Sequence, residues 1–178
     1  MSIAYLLLVH NQPSHVGRLV RSLMHDNTYF FVHVDKKVSI ETFRAALPQS
    51  ARVIFITHRM RVNWGGWSIV AATLELCRAA RSHPEKFSRY QLLSGACYPI
   101  KSNDDISNTL LNSDREFISI NDKLEPGHRF YRWVAEYHYK DCRSVRFEHL
   151  FFRRFLTKYF PRKTGLAFYK GWQWWSPG

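Results

Sequence analysis

The 178-residue sequence predicts an α/β fold of the Rossmann type, a mostly parallel sheet with helices on both faces. Three observations carry this. Short continuous apolar runs alternate with segments whose apolar residues recur at helical spacing. The first run is apolar throughout, as in a strand buried on both faces. Such alternation is built by crossovers that return each strand parallel to the last. Ligands in these folds bind beyond the carboxyl ends of the strands, so the residues there are the candidate site.

Ala4-Tyr-Leu-Leu-Leu-Val9 is the first strand, and Gln12-Pro13-Ser14 supplies helix-start signals. Val16, Leu19, Val20 and Leu23 then repeat at i, i+3, i+4 and i+7, one face of an amphipathic helix. Tyr29 to Val34 reads as the second strand. Ser39 is placed to cap a short helix carrying Ile40, Phe43 and Leu47, and Val53 to Ile56 is a third strand. From Trp67 to Arg81, Val70, Thr73, Leu74, Cys77 and Ala80 trace a helical stripe. Tyr90 to Ser94 is the fourth strand, Asn103 to Leu111 a short helix and Phe117 to Ile120 a further strand. Beyond Asp122 the periodicity weakens into an irregular basic and aromatic extension. Residues 1–121 therefore read as the α/β domain, and 122–178 as a less regular region of the same domain.

Hydrophobic content of 46% and aromatic content of 16% exclude a disordered chain. No apolar stretch approaches the roughly 18 residues that span a bilayer. Three cysteines without CxxC spacing suggest neither a disulfide framework nor a zinc site, and a reducing cytoplasm is expected. The formal charge of +12 calls for an anionic partner: nucleic acid, an acidic membrane surface or phosphate-bearing substrates. The excess gathers between Lys140 and Lys163, which leaves a nucleic-acid-binding α/β protein as the competing class.

At the strand ends lie Val9-His10, then His33 and Asp35 on one face of the second strand. That pair suits a metal, or a ribose or base; it also suits a capped strand whose carboxylate pairs with Lys36 or Lys37. Val62-Asn-Trp-Gly-Gly-Trp67 precedes the third helix, and its glycines permit positive φ or close approach to a ligand. Ser94-Gly95 follows the fourth strand, and Ser94 to Pro99 contains no acidic residue to hold a divalent cation. Asp104-Asp105 fit the start of a helix. Trp174 and Trp175 suit sugar stacking as well as core burial.

Taken in order, Ala4 to His10, Phe31-Val-His-Val-Asp-Lys-Lys37, Val62 to Trp67, Tyr90 to Gly95 with Tyr98 to Ser102, and Gly171-Trp-Gln-Trp-Trp175 resemble the core-2/I-branching β-1,6-N-acetylglucosaminyltransferases. That family also holds the peptide O-xylosyltransferases. The resemblance implies a GT-A-like fold and a UDP-sugar donor. It further implies inversion at the anomeric carbon and no metal or other cofactor. The expected reaction moves a sugar, with N-acetylglucosamine foremost, to a glycan hydroxyl. It places Val9, His10, His33, Asp35, Trp64, Gly65, Gly66, Ser94 and Gly95 around the nucleotide sugar, and Trp174 and Trp175 on the acceptor side.

Two positions depart from the family pattern: Cys97 stands where an Asp is common, and Trp172 where a small residue precedes Gln-Trp-Trp. The family's carboxylate base lies downstream of the segment matched by Gly171 to Trp175, so no catalytic residue is assigned. Asp122, Glu125 and Glu136 are the nearby carboxylates. Animal members are Golgi proteins with a membrane anchor, so a bacterial-style cytoplasmic enzyme is expected. Contact with the inner membrane face through Arg143 to Arg162 and no nucleic-acid partner complete the expectation.

Overall fold

The computed structural model describes residues 1–138, 140–141, 155–160 and 165–178. Four strands form the central sheet: β1 (Ser2–Val9), β2 (Thr28–Val34), β3 (Val53–Phe55) and β4 (Phe87–Ser94). All pair parallel, in the order β3-β2-β1-β4. The apolar run of β1 is explained by this order: it is the strand with long neighbours on both sides, and its residues alternate between two cores. Ile3, Tyr5, Leu7 and Val9 face one cluster; Ala4 and Leu6 face the other.

Helices α1 (Pro13–Leu23), α2 (Glu41–Ala46) and α4 (Asn103–Leu111) cover the first face through Val16, Leu19, Leu23, Phe43 and Leu110. Helix α3 (Trp67–Arg81) covers the second through Leu76 and Ala80. The expected fold class is the observed one. Pro13 begins α1, where its missing N–H costs nothing. Ser102 caps α4 by accepting from the Asp105 amide at 3.1 Å and donates to the Asp105 carboxylate at 2.8 Å. Asp104 and Asp105 thus sit in the helix's first turn, where carboxylates are favoured by the positive end of its dipole.

Two expectations change. The stripe read along α3 holds only in part: Ala80 is buried and Cys77 packs against the core, but Val70 and Leu74 are 42% and 41% exposed, and Ala72 and Leu76 are the buried residues in their place. Phe117 to Ile120 does not extend the parallel sheet. Only β5 (Phe117–Ile118) is strand, and it pairs antiparallel with β8 (Trp175–Ser176). Likewise β6 (Asp122–Lys123) pairs with β7 (Tyr169–Lys170), and α5 (Arg132–Ala135) lies between them in sequence. Gly171 follows β7 because a Cβ there would collide with the Ser119 carbonyl. Among the described residues, no helix is long and apolar enough to cross a membrane.

Candidate functional site

The strand order reverses direction at β1, so the crevice outside β1 and β4 is where this topology places a ligand. Main-chain bonds draw the loops together there. The Asp35 amide donates to the Val9 carbonyl at 2.9 Å and the Gly95 amide to Leu8 at 3.2 Å. Gly95 is buried against Val9 and Val16, and a Cβ would stand 3.1 Å from a Val16 methyl. Glycine therefore lets the loop after β4 run close to the end of β1. Ser94 Oγ accepts from the Ala96 amide at 3.2 Å and lies 3.4 Å from Cys97 Sγ, while His10 is exposed.

Asp35 is buried and held in its turn: Oδ1 accepts from the Lys37 amide at 2.8 Å, and Oδ2 lies 3.4 Å from Lys37 Nζ. Arg59, which the sequence reading passed over, fixes the same turn by donating to the carbonyls of Val34, Asp35 and Val38. His33 shares a face with Asp35, as strand alternation requires, but it is buried and its Nε2 accepts from the Met60 amide at 3.0 Å. That nitrogen is occupied, so the two side chains do not form an open chelating pair. Burial pushes the His33 pKa below its ordinary value. Among the described residues, no three His, Cys, Asp or Glu side chains gather to hold a metal ion.

The segment 62–67 stands out from the core. Trp64 is 89% exposed, Gly65 takes φ 72°, and the Gly66 amide closes a turn on the Asn63 carbonyl at 2.9 Å. Trp64, Gly65 and Ile69 form one part of an open cleft of about 600 Å³. Arg129, Arg132, Trp133 and Lys140 contribute to it as well, together with Glu136, His138 and Gln173. Glu136 accepts from Arg132 Nε at 2.8 Å. Of the three carboxylates considered above, Glu136 is the one lining this cleft; Glu125 pairs with Lys123 at 2.7 Å, and Asp122 is exposed in β6. Two exposed indoles beside three strong cations suit a ligand with sugar faces and phosphate charge.

Trp174 and Trp175 are half-buried against the core beneath α3, with Trp175 also paired in β8. Their neighbour Gln173 reaches the cleft. The basic cluster was legible only as a charge excess, because Arg129, Arg132 and Lys140 converge with Trp64 through the fold and share no local pattern. Much of the Lys140 to Lys163 run lies outside the described residues.

A parallel sheet covered on both faces, with loops gathered at its carboxyl edge and a basic, indole-lined cleft, defines a Rossmann-type α/β protein with a candidate ligand site at the strand ends. The family model of the Core-2/I-Branching enzyme matches residues 3–176, and the chain belongs to that family. It is similar to the rat beta-1,3-galactosyl-O-glycosyl-glycoprotein beta-1,6-N-acetylglucosaminyltransferase 3, with 29% identity over 144 residues, 78% of this chain and 32% of the relative. A human beta-1,3-galactosyl-O-glycosyl-glycoprotein beta-1,6-N-acetylglucosaminyltransferase is 27% identical over 143 residues, 76% of this chain and 32% of the relative. Chimpanzee xylosyltransferase 2 is 29% identical over 121 residues, 65% of this chain and 14% of the relative. The chain thus spans a third or less of the length of these relatives.

Proposed function

We propose that this chain forms the donor-binding part of a glycosyltransferase that moves a sugar, N-acetylglucosamine foremost, from a UDP-sugar to a glycan hydroxyl without a metal ion. The observation that carries this is the convergence of Trp64 and Gly65 with Arg129, Arg132 and Lys140 on one cleft. The nucleotide lies across Val9, Asp35 and Trp64 at the strand ends. A departing diphosphate develops negative charge, which preorganised guanidinium and ammonium groups stabilise as a metal would. The absence of an acidic pair in Ser94 to Pro99 supports the same reading. The names of the relatives, a β-1,6-N-acetylglucosaminyltransferase and a xylosyltransferase, frame the choice of donor.

Cytoplasmic residence, with contact at the inner membrane face through the Arg143 to Arg162 segment, belongs to the same proposal; most of that segment lies outside the described residues. Thermal denaturation with UDP, UDP-N-acetylglucosamine and UDP-xylose, each with and without EDTA, tests the reading. A ligand at about 100 times its Kd is expected to add about 2.7 kcal/mol of stability. The shift should be equal in EDTA. A UDP effect abolished by EDTA overturns metal independence, and no UDP effect at all overturns donor binding.

A further inference from the structure

Asp141 lies 73 residues beyond Ser68, in the first turn of the helix it touches. Its carboxylate is spent on the amino end of α3. Oδ2 accepts from the Ser68 amide at 2.8 Å, and Oδ1 accepts from Ser68 Oγ at 2.6 Å and from Asn63 Nδ2 at 3.0 Å. The nearby Trp67 amide also favours the ionised carboxylate. Burial raises the Asp141 pKa, and these donors outweigh it, so the group is held below the usual carboxylate range. The carboxylate also explains Gly66: a Cβ there would stand 2.5 Å from Asp141 Oδ1. The second glycine of the Gly65-Gly66 pair is therefore the space into which Asp141 fits.

Capping a helix requires only a local side chain at the N-cap, and a carboxylate brought from so far along the chain does more than cap. His138 is fixed by its Nε2 contact with the Trp133 carbonyl at 3.1 Å. Lys140 lies between that point and the Asp141 anchor, and it lines the cleft with Trp64. We infer that Asp141 is a positioning residue: seated on Asn63 and Ser68, it holds Lys140 and His138 to the same cleft as Trp64, so that the amino end of α3 and the basic residues present one site to an anionic sugar nucleotide. This rests on the donor-binding reading above.

Calorimetric titration of UDP into the unaltered chain, Asp141→Ala, Lys140→Ala, the double variant and Asp141→Asn tests it, with the melting temperature of each recorded. Asp141→Ala should weaken UDP binding about tenfold, equivalent to about 1.4 kcal/mol. The double variant should lose less than the product of the two single losses, because part of the effect of Asp141 passes through Lys140. Asp141→Asn keeps one of the two acceptor oxygens, sets an NH2 group in place of the other, and should restore part of the loss. Where Asp141→Ala melts too low to titrate, Gly66→Ala displaces the carboxylate without removing it and carries the same expectation. UDP binding unchanged in Asp141→Ala, or losses that multiply in the double variant, overturns the positioning role alone. No UDP binding by the unaltered chain overturns the donor reading as well.

Discussion

At the scale of single residues, the turn after β2 depends on groups with no exposed role. Arg59 supplies three hydrogen bonds to the carbonyls around Asp35, and His33 supplies the acceptor for Met60. The His33 imidazole is disfavoured as a cation chiefly by burial. Its own main-chain hydrogen bond and the charges of Asp35 and Glu75 oppose that shift, and the Arg59 charge adds to it. With a folded pKa below the unfolded value of about 6.5, the unfolded chain binds more protons as the pH falls through that value. Stability should therefore be complete above about pH 7 and decline on acidification, as Met60 also loses its acceptor. Urea midpoints at pH 7.5 and 5.5 measure this. His33→Gln, whose amide oxygen still accepts from Met60, should flatten the decline; a decline of equal size in the variant places the acid sensitivity at another group.

At the scale of elements, α1 and α2 pack through a glycine. Glycine inside a helix ordinarily costs about 0.5 to 1 kcal/mol against alanine, so Gly17→Ala should stabilise α1 if helix propensity decided the matter. It does not decide here, because a Cβ at Gly17 would strike the Ala46 carbonyl at the end of α2. Arg21 also donates to that carbonyl at 3.1 Å. The variant is expected to lose about 1 to 3 kcal/mol by overpacking, read from its denaturant midpoint at unchanged slope. A gain in stability would show that α2 moves aside freely. The partly misread stripe of α3 belongs to this scale too. Apolar residues surround that helix, with Trp67, Val70 and Leu74 on one side and Ala72, Leu76 and Ala80 on another, so spacing alone leaves the inward face open. Contact with β1 and β2 selects the small-residue face, while Glu75 turns to His58 and Arg78 at the surface.

At the scale of the whole molecule, Arg89 binds the C-terminal segment to the sheet. It is buried in β4 and donates to the carbonyls of Leu110, Ser113, Arg115 and Ser176, with Glu116 at 3.8 Å. Three parts of the chain, β4, the end of α4 and β8, therefore share one guanidinium. The Tyr90 amide adds a bond to the Pro177 carbonyl at 3.0 Å. Arg89→Met fills similar volume but leaves several carbonyls without a donor, and each charge-assisted bond is worth about 1.5 to 3 kcal/mol. A loss of at least about 3 kcal/mol is expected in urea unfolding, together with faster hydrogen exchange at Tyr90. A loss below about 1 kcal/mol would show that water replaces the guanidinium.

The sequence by itself determined the alternation of strands and helices, the burial of β1 on both faces, the place of Asp104-Asp105 at a helix start and the ordered segments that mark the family. These are local signals: periodicity, capping chemistry and motif order survive without knowing what packs on what. Tertiary structure alone decided which face of α3 turns inward, that Phe117 pairs with the C-terminal strand instead of the main sheet, and that His33 is occupied by Met60. It also decided that Arg129, Arg132 and Lys140 share a cleft with Trp64, and that Gly66 is glycine because Asp141 sits against it. Each of these joins residues tens of positions apart, and no spacing rule along the chain encodes a contact that exists only once the sheet has closed.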